Sequence, residues 1–276
     1  MRSFGVNGEH DSDGNAAGAQ WRGGGTAVGF DAPVSASTVV GTGFVYARNE
    51  VEMDGGNGGV ARIKSPQFFA YTGYSSDGDS GTQWQLRSLV GVSKPTFSSD
   101  RRIFVGRGSW VARSSHEGQE YSAAGEGEMS RDAGAFRLHG TVGLRASHLA
   151  EDGFTESGSL ANLEISGRTT QSLTSNVGAR AVLPTNQGLG QWELRAMWSH
   201  ELSGWNSSLT GRLAAATSDA RFTVDGLPAG RDSFTLGAGF SGEIKRNLSL
   251  YGDYSLDLRG EGTTQQMALA GLRLVW

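Results

Sequence analysis

In NLSLYGDYSLDL, residues 247–258, apolar and polar positions take turns. Leu248, Leu250, Tyr254, Leu256 and Leu258 fall on one face, and Ser249, Tyr251, Asp253, Ser255 and Asp257 fall on the other. A period of two is the signature of a strand with one greasy side, whereas a helix repeats its apolar positions every three or four residues. About ten to twelve such residues, tilted, are enough to cross a bilayer. The last eight residues, LAGLRLVW, read the same way: Ala270, Leu272, Leu274 and Trp276 lie two apart, with Gly271, Arg273 and Val275 opposite.

Working outward, the pattern recurs. QWELRAMWSHEL (191–202) sets Trp192, Leu194, Ala196, Trp198 and Leu202 against Glu193, Arg195 and Glu201. SFTLGAGF, FRLHGTVGLRAS and LTSNVGARAVL repeat it, with Arg137, His139, Arg145 and Arg180 on the polar faces. In the first half, WQLRSLVGV puts Trp84, Leu86, Val90 and Val92 outward, TVVGTGFVYA does so with Val40, Phe44 and Tyr46, and SPQFFAYTGY with Phe68, Ala70 and Tyr74, leaving Phe69 and Tyr71 inside. YSAAGEGEM turns Tyr121, Ala123 and Met129 outward and places Glu126 and Glu128, with Glu120 before them, on the inner side. The residues expected to line the interior are therefore Glu120, Glu126, Glu128, Arg137, Arg145, Arg180, Glu193, Arg195, Asp253 and Arg273, with Arg87 among the cations that partner the acids. Charges in a wide, wet interior escape most of the penalty of burial.

Composition narrows the class. The chain of 276 residues holds 43 glycines but only 5 prolines, which suits curved, closely approaching strands better than a disordered chain. Without cysteine it has no disulfide framework and no thiol chemistry. With 24 basic and 28 acidic residues its formal net charge is −4, which leaves no electrostatic footprint for nucleic acid. Mean hydropathy is −0.34 and no apolar run is long enough for a membrane helix. A membrane β-barrel passes unnoticed by that test, because its strands alternate lipid-facing and lumen-facing residues. A soluble β-sandwich also alternates, but here the polar face is too charged for a dry core and the apolar face too continuous for water. Short connections (DAPVSAS, SSDGDSG, SRDAGA, PTNQGLG, KRN) take turns with long ones near residues 52–61, 96–118, 151–170 and 205–231. The fold class predicted is all-β, a transmembrane antiparallel barrel of about twelve strands with both termini periplasmic. Trp84, Phe136, Trp192 and Trp276, near the short turns, fit an interfacial girdle.

The stretches GGTAVGFDAPVSASTVVGTGFVYARNEVEMDGGNGG, EDGFTESGS, FTVDGLPAGRDSFTLGAGF, NLSLYGDYSLDL and LAGLRLVW together resemble the C-terminal translocator domain of type Va autotransporters, over nearly the whole chain from about residue 4. The resemblance implies a Gram-negative outer-membrane barrel of twelve strands that exports an N-terminal passenger to the cell surface. Residues 1–276 are then one β-barrel domain, with the passenger and the pore-threading linker helix absent from a chain that begins MRSFGVNG. It further implies a terminal aromatic strand, Leu272, Leu274 and Trp276, read as an assembly signal, with Trp where many members have Phe. The partners implied are the passenger polypeptide, the barrel-assembly machinery, periplasmic chaperones and the lipid bilayer, around a monomer without cofactor or metal. The segment 204–231 resembles the large loop that members use in export.

Two other functions fit such a barrel, a small porin-like channel and an outer-membrane hydrolase. A hydrolase needs His with Asp or Ser at one rim, and no such set or His-x-x-x-His spacing is legible around His10, His116, His139, His148 or His200. DGGNGG (54–59) lacks the Lys and following helix of a phosphate loop. Some members cleave their own linker with inward acids; Glu120, Glu126 and Glu128 are the candidates for that role, with ion pairing across the lumen as the plainer role for the same residues.

Overall fold

Alternation along each chain segment lets every backbone group pair sideways while one face stays apolar, and the computed structural model is built of such segments. It describes residues 1–13, 17–55, 58–78, 81–105, 107–185, 189–204, 208–226 and 230–275. Trp276 and parts of the long loops, including residues 56 and 57 of DGGNGG, lie outside the described residues. No helix occurs among the described residues.

Twelve strands close into an antiparallel barrel. They are β1 (Arg2–His10), β2 (Ala19–Pro33), β3 (Thr38–Met53), β4 (Val60–Asp77), β5 (Gln83–Ser93), β7 (Gly108–Ala133), β8 (Phe136–Glu151), β11 (Arg168–Pro184), β12 (Gly190–Glu201), β15 (Asp232–Lys245), β16 (Leu248–Arg259) and β17 (Thr263–Leu274). Each pairs with its neighbours in this order, and the first closes on the last, from Arg2 opposite Gly271 to His10 opposite Thr263. Closure removes both sheet edges, which is what permits a sheet to sit in lipid. β12, β16 and β17 are each 12 residues long, and a tilted strand of that length rises through an apolar band of about 25 Å.

The exterior of this band is greasy throughout. Trp84, Leu86, Val90, Val142, Trp192, Leu194 and Leu236 are each about half exposed. Water would not tolerate so continuous an apolar belt. Aromatics mark its two borders: Phe30, Trp84, Phe136 and Trp192 toward the end where the chain starts and stops, and Tyr46, Tyr121, Trp198 and Phe234 toward the other. The Trp198 indole donates to Asp232 at 3.0 Å, the wet handle of an interfacial ring.

The short connections from β2 to β3, β4 to β5, β7 to β8, β11 to β12 and β15 to β16 lie at the end that holds Met1, whereas the three-residue turn at 260–262, between β16 and β17, lies at the far end. The far end differs from the loops expected there. Residues 96–105 and 108–118 are a continuation of the wall: β6 (Thr96–Val105) prolongs β5 beyond a break at Lys94 and Pro95 and pairs with both β4 and the upper part of β7. The sequence of this hairpin is too charged on its outer face to show the lipid-type alternation, so it reads as a loop. The connections between β8 and β11 and between β12 and β15 contribute β9 (Phe154–Thr155), β10 (Leu163–Ile165), β13 (Leu209–Leu213) and β14 (Phe222–Val224), which form a second sheet in the order β14, β13, β10, β9. A backbone bridge between Arg113 and Ser157 joins it to the β7 wall. Arg101 grips the buried Glu156 at 2.9 Å and also bonds the Ala161 carbonyl at 2.9 Å, while His116 lies sandwiched between Phe97 and Phe154, with ring centroids 4.9 and 4.4 Å away.

Candidate functional site in the barrel lumen

Side chains directly opposite across an antiparallel ladder share a face, so the register fixes what faces the lumen. On β5, β7, β8, β11, β12 and β16 that face is charged. Glu128, 3% exposed, accepts from His139 Nδ1 at 2.7 Å, from Arg180 at 2.8 Å and from Arg87 at 2.9 Å. Arg87 also reaches Glu126 at 3.3 Å, and Arg180 continues to Glu193 at 2.9 Å. Arg195 stands beside Glu193 at 3.5 Å and holds Asp253 through both terminal nitrogens, Nη2 to Oδ1 at 2.6 Å.

The chain of pairs crosses β15 without a side chain from that strand. Gly237 and Gly239 leave it bare: a Cβ on Gly237 would lie 2.7 Å from the Arg195 guanidinium carbon, and one on Gly239 3.0 Å from the Asp253 carboxylate. The glycines of SFTLGAGF are thus a lane through which Arg195 reaches its partner two strands away.

The opposite wall, β17, β1, β2, β3 and β4, is largely apolar in the middle of its inner face. Leu269 stands directly opposite both Asp253 and Phe4, and Met267 opposite Val6, so all four of these apolar residues point inward. Inward glycines receive their neighbours' rings. A Cβ on Gly25 would lie 2.7 Å from Phe4, on Gly43 2.4 Å from Phe69, and on Gly271 2.3 Å from Tyr251. Part of the glycine content is explained by this close approach of ring to backbone.

Near the Met1 end a polar latch spans the seam. Asp31 on β2 accepts from Tyr71 on β4 at 2.7 Å and from Arg273 on β17 at 3.2 Å, and Arg2 donates to Tyr251 at 2.6 Å while lying over its ring. At the far end the buried Glu201 accepts from Ser172, Thr174, Ser203 and the Leu173 amide.

The ten residues expected to line the interior sort into three groups. Glu126, Glu128, Arg180, Glu193, Arg195 and Asp253 form one connected network, joined by Arg87 and His139. Arg273 belongs to the seam latch, and Arg137 pairs at 3.4 Å with Asp132 near the turn. Glu120 and Arg145 occupy inward register positions without an ion pair among the described residues. Of the residues expected to form an assembly signal, Leu272 and Leu274 are about half exposed on the outer face, and Trp276 lies outside the described residues. His10 bonds Thr263, His148 meets Gln171 at 3.2 Å, and His200 meets Asp232 at 2.9 Å. Sequence reading turned Phe69, Tyr71 and Arg273 inward, but it missed Phe4, Val6, Met267 and Leu269 as parts of an apolar wall and Asp31 as the centre of the latch.

A closed barrel with a lipid-compatible exterior and a wet, ion-paired interior is an integral membrane protein of the β class. A family model described as "Autotransporter beta-domain" matches residues 1–255, and the chain belongs to that family. It is an outer-membrane translocator that exports a passenger. The fold is similar to the translocator domain of NalP from Neisseria meningitidis, with TM-score 0.79 at 18% identity, covering 100% of this chain and 86% of that one. The transport unit of AIDA-I from Escherichia coli gives TM-score 0.69 at 14% identity, with coverage of 100% and 89%. The β domain of the Bordetella autotransporter BrkA gives 0.66 at 13%, with coverage of 100% and 98%. No curated protein matches the sequence.

Proposed function

We propose that the passenger polypeptide crosses the outer membrane as an extended chain along this lumen, between its charged and its apolar wall. The observation that carries this reading is the pairing of the lumen charges with one another. A carboxylate already held by two guanidiniums and an imidazole, as Glu128 is, has little left to offer a passing chain. The wall is wet without being adhesive, and it supplies a route with little driving force. The same pairing makes Glu126 and Glu128 poor bases for cleaving a linker and leaves Glu120 alone of the three candidate acids without an ion pair among the described residues; in this reading the domain acts in transport and not as an enzyme. Residues 1–276 serve as one translocator domain, a monomer that binds no nucleic acid, cofactor or metal.

Both termini lie in the periplasm in this reading, with the sheet of β9, β10, β13 and β14 on the cell surface. Leu160, 81% exposed, and Val34, 61% exposed, sit at opposite ends and suit a labelling test in a chain without cysteine. Leu160→Cys should react with an impermeant maleimide on intact cells, and Val34→Cys only after lysis. The reverse pattern overturns the orientation.

The outward Leu272 and Leu274, with Trp276, serve as the signal read by the barrel-assembly machinery after periplasmic chaperones deliver the chain. For the route itself, the decisive comparison is conductance in planar bilayers of this chain and of one extended upstream by its natural linker. A conducting short form and a blocked long form support passage through the lumen; equal conductance favours a porin-like channel.

A further inference from the structure

We infer that Arg48 and Lys64 on the outer wall form a binding site for the phosphate of an outer-leaflet lipid headgroup. The two residues stand directly opposite each other in the β3–β4 ladder, and both are exposed. Like charges in that relation repel, and a strand pair carries such a defect only at a cost in stability. Their parity is that of Phe44 and Phe68, whose rings meet at 4.9 Å on the lipid face, so both cations project outward from the barrel.

Their depth points to the ligand. Tyr46 and Pro66, opposite each other, are the next outward pair toward the apolar band. Arg48 bends toward that border: its Nε donates to the Tyr46 hydroxyl at 3.1 Å, and its guanidinium lies 5.4 Å from the Tyr46 ring centroid. It does so although Glu50 lies two residues further along the same strand. That carboxylate is already taken, at 2.7 Å by Arg22 and at 2.8 Å by Arg62, while Arg62 also binds Asp100 at 3.0 Å. The belt above is therefore satisfied within itself. Neither Arg48 nor Lys64 has an acidic partner among the described residues, and both sit where the headgroups of the surrounding leaflet lie.

A phosphate monoester fits these facts. It brings a compact negative charge that bridges a guanidinium and an ammonium on adjacent strands, and its acyl chains lie down the Phe44 and Phe68 surface below. Inorganic phosphate has the same headgroup chemistry without the chains, and the lipid is favoured because the site borders an apolar wall. The assignment to the outer leaflet rests on the orientation proposed above, whereas binding itself does not, so the two are tested apart.

The test is native mass spectrometry of the detergent-folded chain titrated with a diphosphorylated glycolipid, its dephosphorylated form, or inorganic phosphate. The protein should retain the phosphorylated lipid, and Arg48→Gln with Lys64→Gln should lower its apparent affinity about tenfold or more. Arg131→Gln with Arg246→Gln, the same charge change at the other end, should leave it unchanged. Equal loss in both double variants, equal retention of the dephosphorylated lipid, or displacement by equimolar inorganic phosphate would each overturn the site. Binding as expected together with the reversed maleimide pattern would leave the phosphate site standing and assign it to the inner leaflet.

Discussion

The two walls of the lumen solve the problem of an inward face differently. On β7, β8, β11, β12 and β16 the face is a continuous chain of ion pairs; on β17, β1, β2 and β3 it is a sheet of rings and methyls laid over glycine. The charged wall is stable only while each member has its partner, because a lone buried charge costs far more than a satisfied pair gains. The apolar wall degrades in proportion to the area lost and has no such threshold. A lumen of this kind is rigid on one side and smooth on the other.

The largest effect should follow from removing the hub of the charged wall. Glu128→Ala leaves Arg87, Arg180 and His139 facing one another, and the cost should be about 3–5 kcal/mol, the range for a broken buried pair. The urea midpoint of the folded barrel, followed by heat-modifiable mobility on gels, reads this directly. A loss below about 1 kcal/mol, as for a surface pair, would show that water screens the network and that the walls differ less than the geometry implies.

On the apolar wall, Phe4→Ala should cost about 1–2 kcal/mol, less than a fully buried Phe because the residue keeps part of its surface open to the lumen. The same unfolding curve provides the comparison. Gly237→Val probes the lane between the walls: displacing Arg195 from Asp253 should cost about 1 kcal/mol and also alter ion selectivity, which Phe4→Ala should leave unchanged. Arg273→Ala should cost less than about 1 kcal/mol, since the Arg273 side chain is 63% exposed and the latch keeps its Tyr71 to Asp31 bond.

The smallest effect lies outside the membrane, in the second sheet. There the hydrogen bond from Arg212 holds the Glu164 carboxyl below its ordinary range. A depressed folded value means that the contribution is complete above the ordinary glutamate value and fades as pH falls through the depressed one. The amide protection factors of residues 163–165 and 209–213, that is, exchange corrected for its intrinsic pH dependence, should therefore fall at acid pH and stay flat between pH 6 and 8. A fall in that upper window would assign the sheet's stability to another group.

Much of this architecture is legible in the chain itself. Alternation of period two in segments such as 191–202 and 247–258, with tight turns between them, fixes a membrane barrel because side-chain direction in a strand is set by position alone. The charged lining is legible for the same reason, since Glu126, Glu128, Arg180 and Arg195 stand opposite aromatic and aliphatic neighbours. Only the tertiary structure decided what those residues do to one another. Parity says that Arg195 faces inward, but that it passes over Gly237 to Asp253 depends on the register of three strands. At the seam parity is incomplete. It puts Met267 and Leu269 on the face of Arg273, but Phe4 and Val6 receive their inward direction only from the pairing of β1 with β17. Local sequence carries the period, whereas register and closure are collective, set by all twelve strands at once.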